Sequence, residues 1–171
     1  VDAFIAAMRQ TLINDDLDKA FRSDALVLPG EAFLSEQRKP ANPEAIYQVR
    51  TALRKRIGQA LCDDFANTYN QNASNAAFTP DATSAGQRAL RATALAYLVA
   101  SGEDEYAEIA VAQYGTADNM TDQMAALSVL NNLDHPGRET ALADFEQRFA
   151  SDAVVLDKWF SLQAMSARDD T

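Results

Sequence analysis

"NPEAIYQVRTALRKRIGQALCDDFANTYN", residues 42–70, decides how the chain folds. Asn42 suits a helix N-cap, Pro43 the first helical position, and Glu44 the positive end of the helix dipole. Ile46, Val49, Leu53, Ile57, Leu61, Phe65 and Tyr69 then follow at steps of three and repeatedly four, which predicts one helix over 43–69. At 1.5 Å per residue it is about 40 Å long. Each step of four moves the apolar stripe by about 40° around the axis, so it cannot face a single straight partner. Several neighbours must share it.

The same spacing recurs on both sides, and strand-like alternation is hard to find, so the class is all-α. Upstream, helices are predicted near 2–14 (Ile5, Met8, Leu12) and 16–27 (Leu17, Phe21), the second stopped by Pro29-Gly30, with a short helical turn at 31–36 before Pro40. Downstream, the polar segment "NQNASNAAFTPDATSAG" divides the chain into subregions 1–70 and 83–166. Helices then follow near 83–101, 103–114, 120–133, 137–150 and 152–166, punctuated by Gly102, Gly115 and Pro136-Gly137. Pairs begin near 83, 120 and 153, a period in the thirties that predicts an α-α superhelix of antiparallel helical hairpins, HEAT- or armadillo-like.

Of 171 residues, 47% are hydrophobic, enough for one helical domain with a sizeable core. The net charge of −10 argues against nucleic acid or an anionic membrane surface as the main partner, since both need Lys/Arg neutralisation. No apolar run approaches a bilayer span, and nothing at the amino end looks like a signal peptide. Cys62 is the single cysteine, which leaves no intrachain disulfide or thiolate metal cluster and points to a cytoplasmic setting.

Residues that carry chemistry are few. His135 is the one histidine, beside Pro136-Gly137, and is expected to be an exposed turn residue; an HExxH zinc helix needs two. The acidic runs Asp15-Asp16-Leu17-Asp18, Asp63-Asp64 and Glu103-Asp104-Glu105 lack calcium-loop spacing, and the first and third are expected to start helices. In "TADNMTDQMAALSVLNN" (116–132), Asn119 is expected to be the N-cap, supported by Thr121 or Asp122, so the polar cluster is structural. Arg50, Arg54, Lys55 and Arg56 form a basic band, either a solvated face with i, i+4 partners or the lining of an anion-attracting cavity. No catalytic, cofactor-binding or metal residue is assigned.

Three stretches carry a family resemblance: "NPEAIYQVRTALRKRIGQAL", "DNMTDQMAALSVL" and "VLDKWFSLQAMS". They resemble the carboxy-terminal helical region of the aminopeptidase N family, zinc-dependent alanyl aminopeptidases of the gluzincin class. The resemblance runs over nearly all of the chain and is most specific at Asn119 to Leu127 and Asp157 to Gln163. It implies that residues 1–171 are the first part of a larger terminal superhelical domain. The parent would be a zinc enzyme removing amino-terminal residues from peptides, with its HExxH and GAMEN-type motifs on other domains. The helical part would then enclose the active-site cavity and limit substrate access. Implied partners are the parent's other domains and its peptide substrates, with self-association through the last helices; zinc belongs to the parent and not to this chain. The alternative is a free-standing helical-repeat module that binds a protein or peptide, since fold does not fix function.

The helix 152–166 carries Val155, Trp159 and Leu162 on one stripe, widened by Leu156 and Phe160. Trp159 is expected to anchor on the 137–150 helix near Phe145 or Phe149, with the Leu156 and Phe160 side left partly open. The purified chain should give a helical circular dichroism spectrum and no zinc-dependent hydrolysis of an alanyl anilide. Turnover above contaminant level, or substantial β content, contradicts the reading.

Overall fold

The computed structural model describes residues 1–74 and 76–168. They form ten α-helices and no strand: α1 Asp2–Ile13, α2 Lys19–Ala25, α3 Glu31–Glu36, α4 Pro43–Ala60, α5 Cys62–Gln71, α6 Ala82–Ser101, α7 Asp104–Thr116, α8 Met120–Leu130, α9 Pro136–Phe149 and α10 Ala153–Ala164. The helices group into two compact units, 1–102 and 103–171. The division therefore falls at Gly102 and not at the polar segment 71–82, as the sequence suggested. The reason is α6, which packs on α2, α4 and α5 and belongs with them.

In the first unit α6 is the element around which the others assemble. Leu90, Ala94, Leu95 and Leu98 are buried on it, and Tyr97 stacks on Phe65 of α5 with ring centroids 4.6 Å apart and planes at 11°. Tyr97 also donates its hydroxyl hydrogen bond to Leu26 O at 2.6 Å, and Ser23 Oγ meets Thr93 Oγ1 at 2.9 Å, fastening α2 to the same helix. Gly58 brings the α4 backbone against α6: a Cβ there would lie 2.3 Å from Tyr97 O. Gly102 ends α6 in the left-handed region at φ 90°, a conformation that favours glycine.

The helix predicted over 43–69 is two. Leu61, at φ −116° and ψ 24°, separates α4 from α5, although Leu61 N still donates to Ile57 O at 3.0 Å and Phe65 N to Leu61 O at 2.9 Å. The break is a kink that lets the winding stripe stay covered. Ile57, Leu61, Phe65 and Tyr69 are all buried, with α4 meeting α3 and α6 while α5 meets α1 and α6. The start of the stripe is not covered: Ile46 and Leu53 are half-buried and Val49 is 68% exposed. The second helix is also shorter than expected, because Asp18 caps it by accepting from Phe21 N at 3.1 Å, and Phe21 is exposed.

In the second unit α7 pairs with α8 and α9 with α10, one helix out of phase with the hairpins expected at 120 and 153. Polar groups make the joints. Gln113 Nε2 on α7 donates to Asp122 O at 2.9 Å, and Tyr114 OH donates to Asp144 of α9 at 2.7 Å. Burial and that carboxylate both hold the Tyr114 phenol well above its ordinary pKa. Buried Asn131 donates through Nδ2 to Leu162 O at 2.8 Å, while its backbone O accepts from Arg138 Nε at 3.1 Å and Ser166 Oγ at 3.1 Å. Trp159 does anchor on α9, through Nε1 donating to Leu142 O at 2.9 Å, but the indole is half-buried and packs edge-on against Phe160. Phe160 is exposed and Leu156 half-buried, so that side of α10 is open.

Two substitutions check this packing. Gly58→Ala gains about 1 kcal/mol of helix propensity, yet must displace backbone on α6, and overpacking of that kind costs about 1–3 kcal/mol. The variant should unfold at lower denaturant concentration than the parent; an unchanged or higher midpoint shows that α4 and α6 are not in close contact. Asn119→Ala should cost roughly 0.5–2 kcal/mol through loss of the α8 cap, read by the same titration.

Candidate functional site

The polar cluster at the start of α8 is a cap. Asn119 Oδ1 accepts from Asp122 N at 3.0 Å, and Asn119 Nδ2 donates to Asp118 Oδ1 and Asp122 Oδ2, each at 2.9 Å. This is a reciprocal arrangement of the capping-box kind, with an aspartate in the third position. Both polar side-chain atoms of Asn119 are thus engaged by Asp118 and Asp122 at the helix start. Asn72, just past the end of α5, is buried and donates to Thr68 O at 2.8 Å.

His135 differs from the expectation of an exposed turn residue. It is half-buried at the N-cap of α9, where Nδ1 accepts from Gly137 N at 3.1 Å and Nε2 meets Glu108 Oε1 of α7 at 3.2 Å. The backbone donors at a helix start draw the ring in, and Pro136 supplies none. Asp18 caps α2 and Asp15 pairs with buried Arg22 at 3.0 Å, while Asp64, in the first turn of α5, holds Arg9 at 2.7 Å. Among the described residues no group of three His, Cys, Asp or Glu side chains is placed to hold a metal ion.

The basic band of α4 is taken apart by the fold. Arg56 reaches Asp2 at 2.7 Å, and Arg50 donates from Nε to Pro29 O at 2.9 Å with Glu31 at 4.0 Å. Their partners come from other elements, not from i, i+4 neighbours. Arg54 turns inward, its guanidinium 5.7 Å from the centroid of the Tyr97 ring. Desolvation lowers its pKa from the ordinary arginine value, with the nearby Arg50 charge acting in the same direction. Arg50 and Arg54 line a small cleft of about 110 Å³ together with Leu26, Val27, Thr93 and Tyr97.

A second, larger concavity of about 750 Å³ lies in the same unit, walled by Phe4, Leu28, Leu34, Ile46, Val49 and Leu53. It is predominantly apolar and open, and it explains why the first part of the α4 stripe is uncovered. The periodicity at Ile46, Val49 and Leu53 marks these residues as a face that seeks cover. It does not distinguish a face buried inside the unit from one left open, so the groove escaped sequence reasoning. Among the described residues no helix is long and apolar enough to cross a membrane.

Comparison with known proteins agrees with this architecture. A family profile described as "Domain of unknown function (DUF3458_C) ARM repeats" matches residues 1–171. The chain is 31% identical over 169 residues to aminopeptidase N of Caulobacter vibrioides, covering 99% of this chain and 20% of that protein. It is 32% identical over 161 residues to aminopeptidase N of Escherichia coli, covering 94% of this chain and 18% of that one. A crystal structure of Legionella pneumophila aminopeptidase A in complex with aspartic acid superposes with a TM-score of 0.84 at 23% identity, over 98% of this chain and 21% of that chain, a likeness of fold. The chain thus spans about a fifth of the length of the relatives it matches. ARM repeats agree with the helical-hairpin superhelix expected from periodicity, and the chain belongs to the DUF3458_C family, corresponding to the carboxy-terminal helical domain of aminopeptidase N-like proteins.

Proposed function

We propose that this chain is the non-catalytic helical domain of a zinc aminopeptidase and helps to enclose the cavity in which amino-terminal residues are removed from peptides. The observation that supports the reading is the match over 99% of this chain to about a fifth (20%) of an aminopeptidase N. A domain of this kind acts by shape and charge. Helices packed through buried leucines and aromatic rings form a wall that peptides and thin unfolded chains pass and folded proteins do not.

Bound zinc would polarise the first peptide carbonyl and activate water in the parent enzyme. In this reading that chemistry belongs to other domains of the parent, and His135 here serves the α9 cap and meets Glu108. The open apolar groove beside α4 is suited to cover by another part of the parent protein, and an isolated chain with that groove and the Phe160 side of α10 exposed is prone to self-association. Residues 1–171 are the first part of the terminal domain in this proposal, and the setting is cytoplasmic.

The test uses the intact protein that carries this chain. It should cleave alanine from the amino end of an unfolded peptide in a chelator-sensitive manner, and much more slowly when the same amino end is attached to a compact folded domain. Equal rates on both substrates remove the access-limiting role. A gene in which the codon for Val1 directly follows a start codon, with no peptidase domain encoded, replaces the proposal with a free-standing interaction module.

A further inference from the structure

We propose that the cleft between α2, α4 and α6 binds a single oxyanion of carboxylate or phosphate size, gripped by Arg54 and Arg50. The proposal stands on the first unit alone and does not depend on the aminopeptidase reading.

Arg54 is the odd group in the charge pattern. The chain has 25 acidic and 15 basic residues, so acidic partners are plentiful. Buried Arg22 has Asp15 at 3.0 Å, exposed Arg9 has Asp64 at 2.7 Å, and exposed Arg56 has Asp2 at 2.7 Å. The half-buried Arg54 guanidinium, by contrast, faces an aromatic ring, and among the described residues no acid pairs with it and no carbonyl accepts from it. Taking a guanidinium out of water is unfavourable unless it is paired, and the like charge of Arg50 at i, i+4 adds repulsion. Burial and Arg50 are the physical causes that depress its pKa.

The surroundings are those of a small anion site. Arg50 is held in place by the bond from Nε to Pro29 O, and Glu31 at 4.0 Å is beyond hydrogen-bond reach. Its terminal nitrogens and all five N–H groups of Arg54 are therefore available, in the planar fork geometry that matches two oxygens of one carboxylate or phosphate. Leu26, Val27 and Ala96 supply apolar wall on the sides of the cleft, and a charge pair is stronger beside apolar groups than in bulk water. The volume of about 110 Å³ is that of a handful of waters, each of about 30 Å³ in the liquid. It admits one oxyanion head and not a folded side chain with its backbone. Thr93 and Tyr97 do not compete, since their hydroxyls already bond Ser23 and Leu26 O.

The experiment follows the arginine Nε–Hε resonances of the ¹⁵N-labelled chain during titration with sodium phosphate, with chloride balancing ionic strength. Arg54 and Arg50 should shift saturably while Arg56 does not. Arg54→Gln should weaken binding by about tenfold or more, and Arg54→Lys, which keeps the charge but loses the fork, by an intermediate factor. Circular dichroism verifies that both variants are folded. Shifts that are linear in phosphate and equal at Arg54 and Arg56 overturn the proposal, a result that needs no variant. Competition then separates the sources. Displacement of phosphate by N-acetylalanine with a free carboxylate, and not by its amide, assigns the site to a peptide carboxylate. Phosphate binding without displacement assigns it to a free phosphate-type ion.

Discussion

The first unit depends on how closely α4 and α5 approach α6. Helices with ordinary side chains at the contact keep their axes about 8–10 Å apart. At Gly58 the absence of a side chain lets the α4 backbone come against Tyr97 O, where any Cβ would collide at 2.3 Å. That approach brings Phe65 flat onto Tyr97 and places Ile57, Leu61 and Leu98 in a water-free layer. Tyr97 then has one direction left for its hydroxyl, toward Leu26 O at the end of α2. One residue of α6 thus receives a glycine, an aromatic ring, a carbonyl and a guanidinium from three other helices. Leu61, at φ −116° and ψ 24°, lies between the two segments, and both α4 and α5 contact α6.

The second unit combines a small apolar core with directional hydrogen bonds between its helices. Fully burying Leu127, Leu130 and Phe145 stabilises it by about 1.5–3 kcal/mol for each side chain. The last helix adds little to that core: no residue of α10 is buried, and Trp159 is half-covered. What positions α10 is directional, the indole bond to Leu142 O and the Asn131 bond to Leu162 O. Such bonds each contribute about 1 kcal/mol net but are costly to leave unmade when buried, so they set the register of the helix more than its stability.

The same distinction separates scaffold from surface. Several polar residues that stood out in the sequence hold helix ends, namely Asn119, Asp18 and His135, and Asp152 does the same by accepting from Val154 N and Val155 N at 3.1 Å. The features open to a partner are the apolar groove beside α4 and the guanidinium pair next to it. The chain that carries them spans about a fifth of the length of the relatives it matches.

Much of the architecture was legible in residue order because it rests on local rules. Asn42 and Asn119 as caps, Pro43 at the first turn and Gly102 at a helix end follow from backbone donors, fixed φ and the missing Cβ, which act within a few residues. The family resemblance too was visible in short stretches of chain. What needed the tertiary structure was every choice among equivalent partners. Nothing local says that α6 joins the first unit, that α7 pairs with α8, that Val49 stays open while Ile57 is buried, or that Arg54 alone of the basic band turns inward. Hydrophobic burial is non-directional, so a periodic stripe states that a face will seek cover and leaves its partner unspecified. Within the first unit, the close approach of Gly58 to Tyr97, 39 residues apart in sequence and in direct contact in space, helps to settle which faces meet.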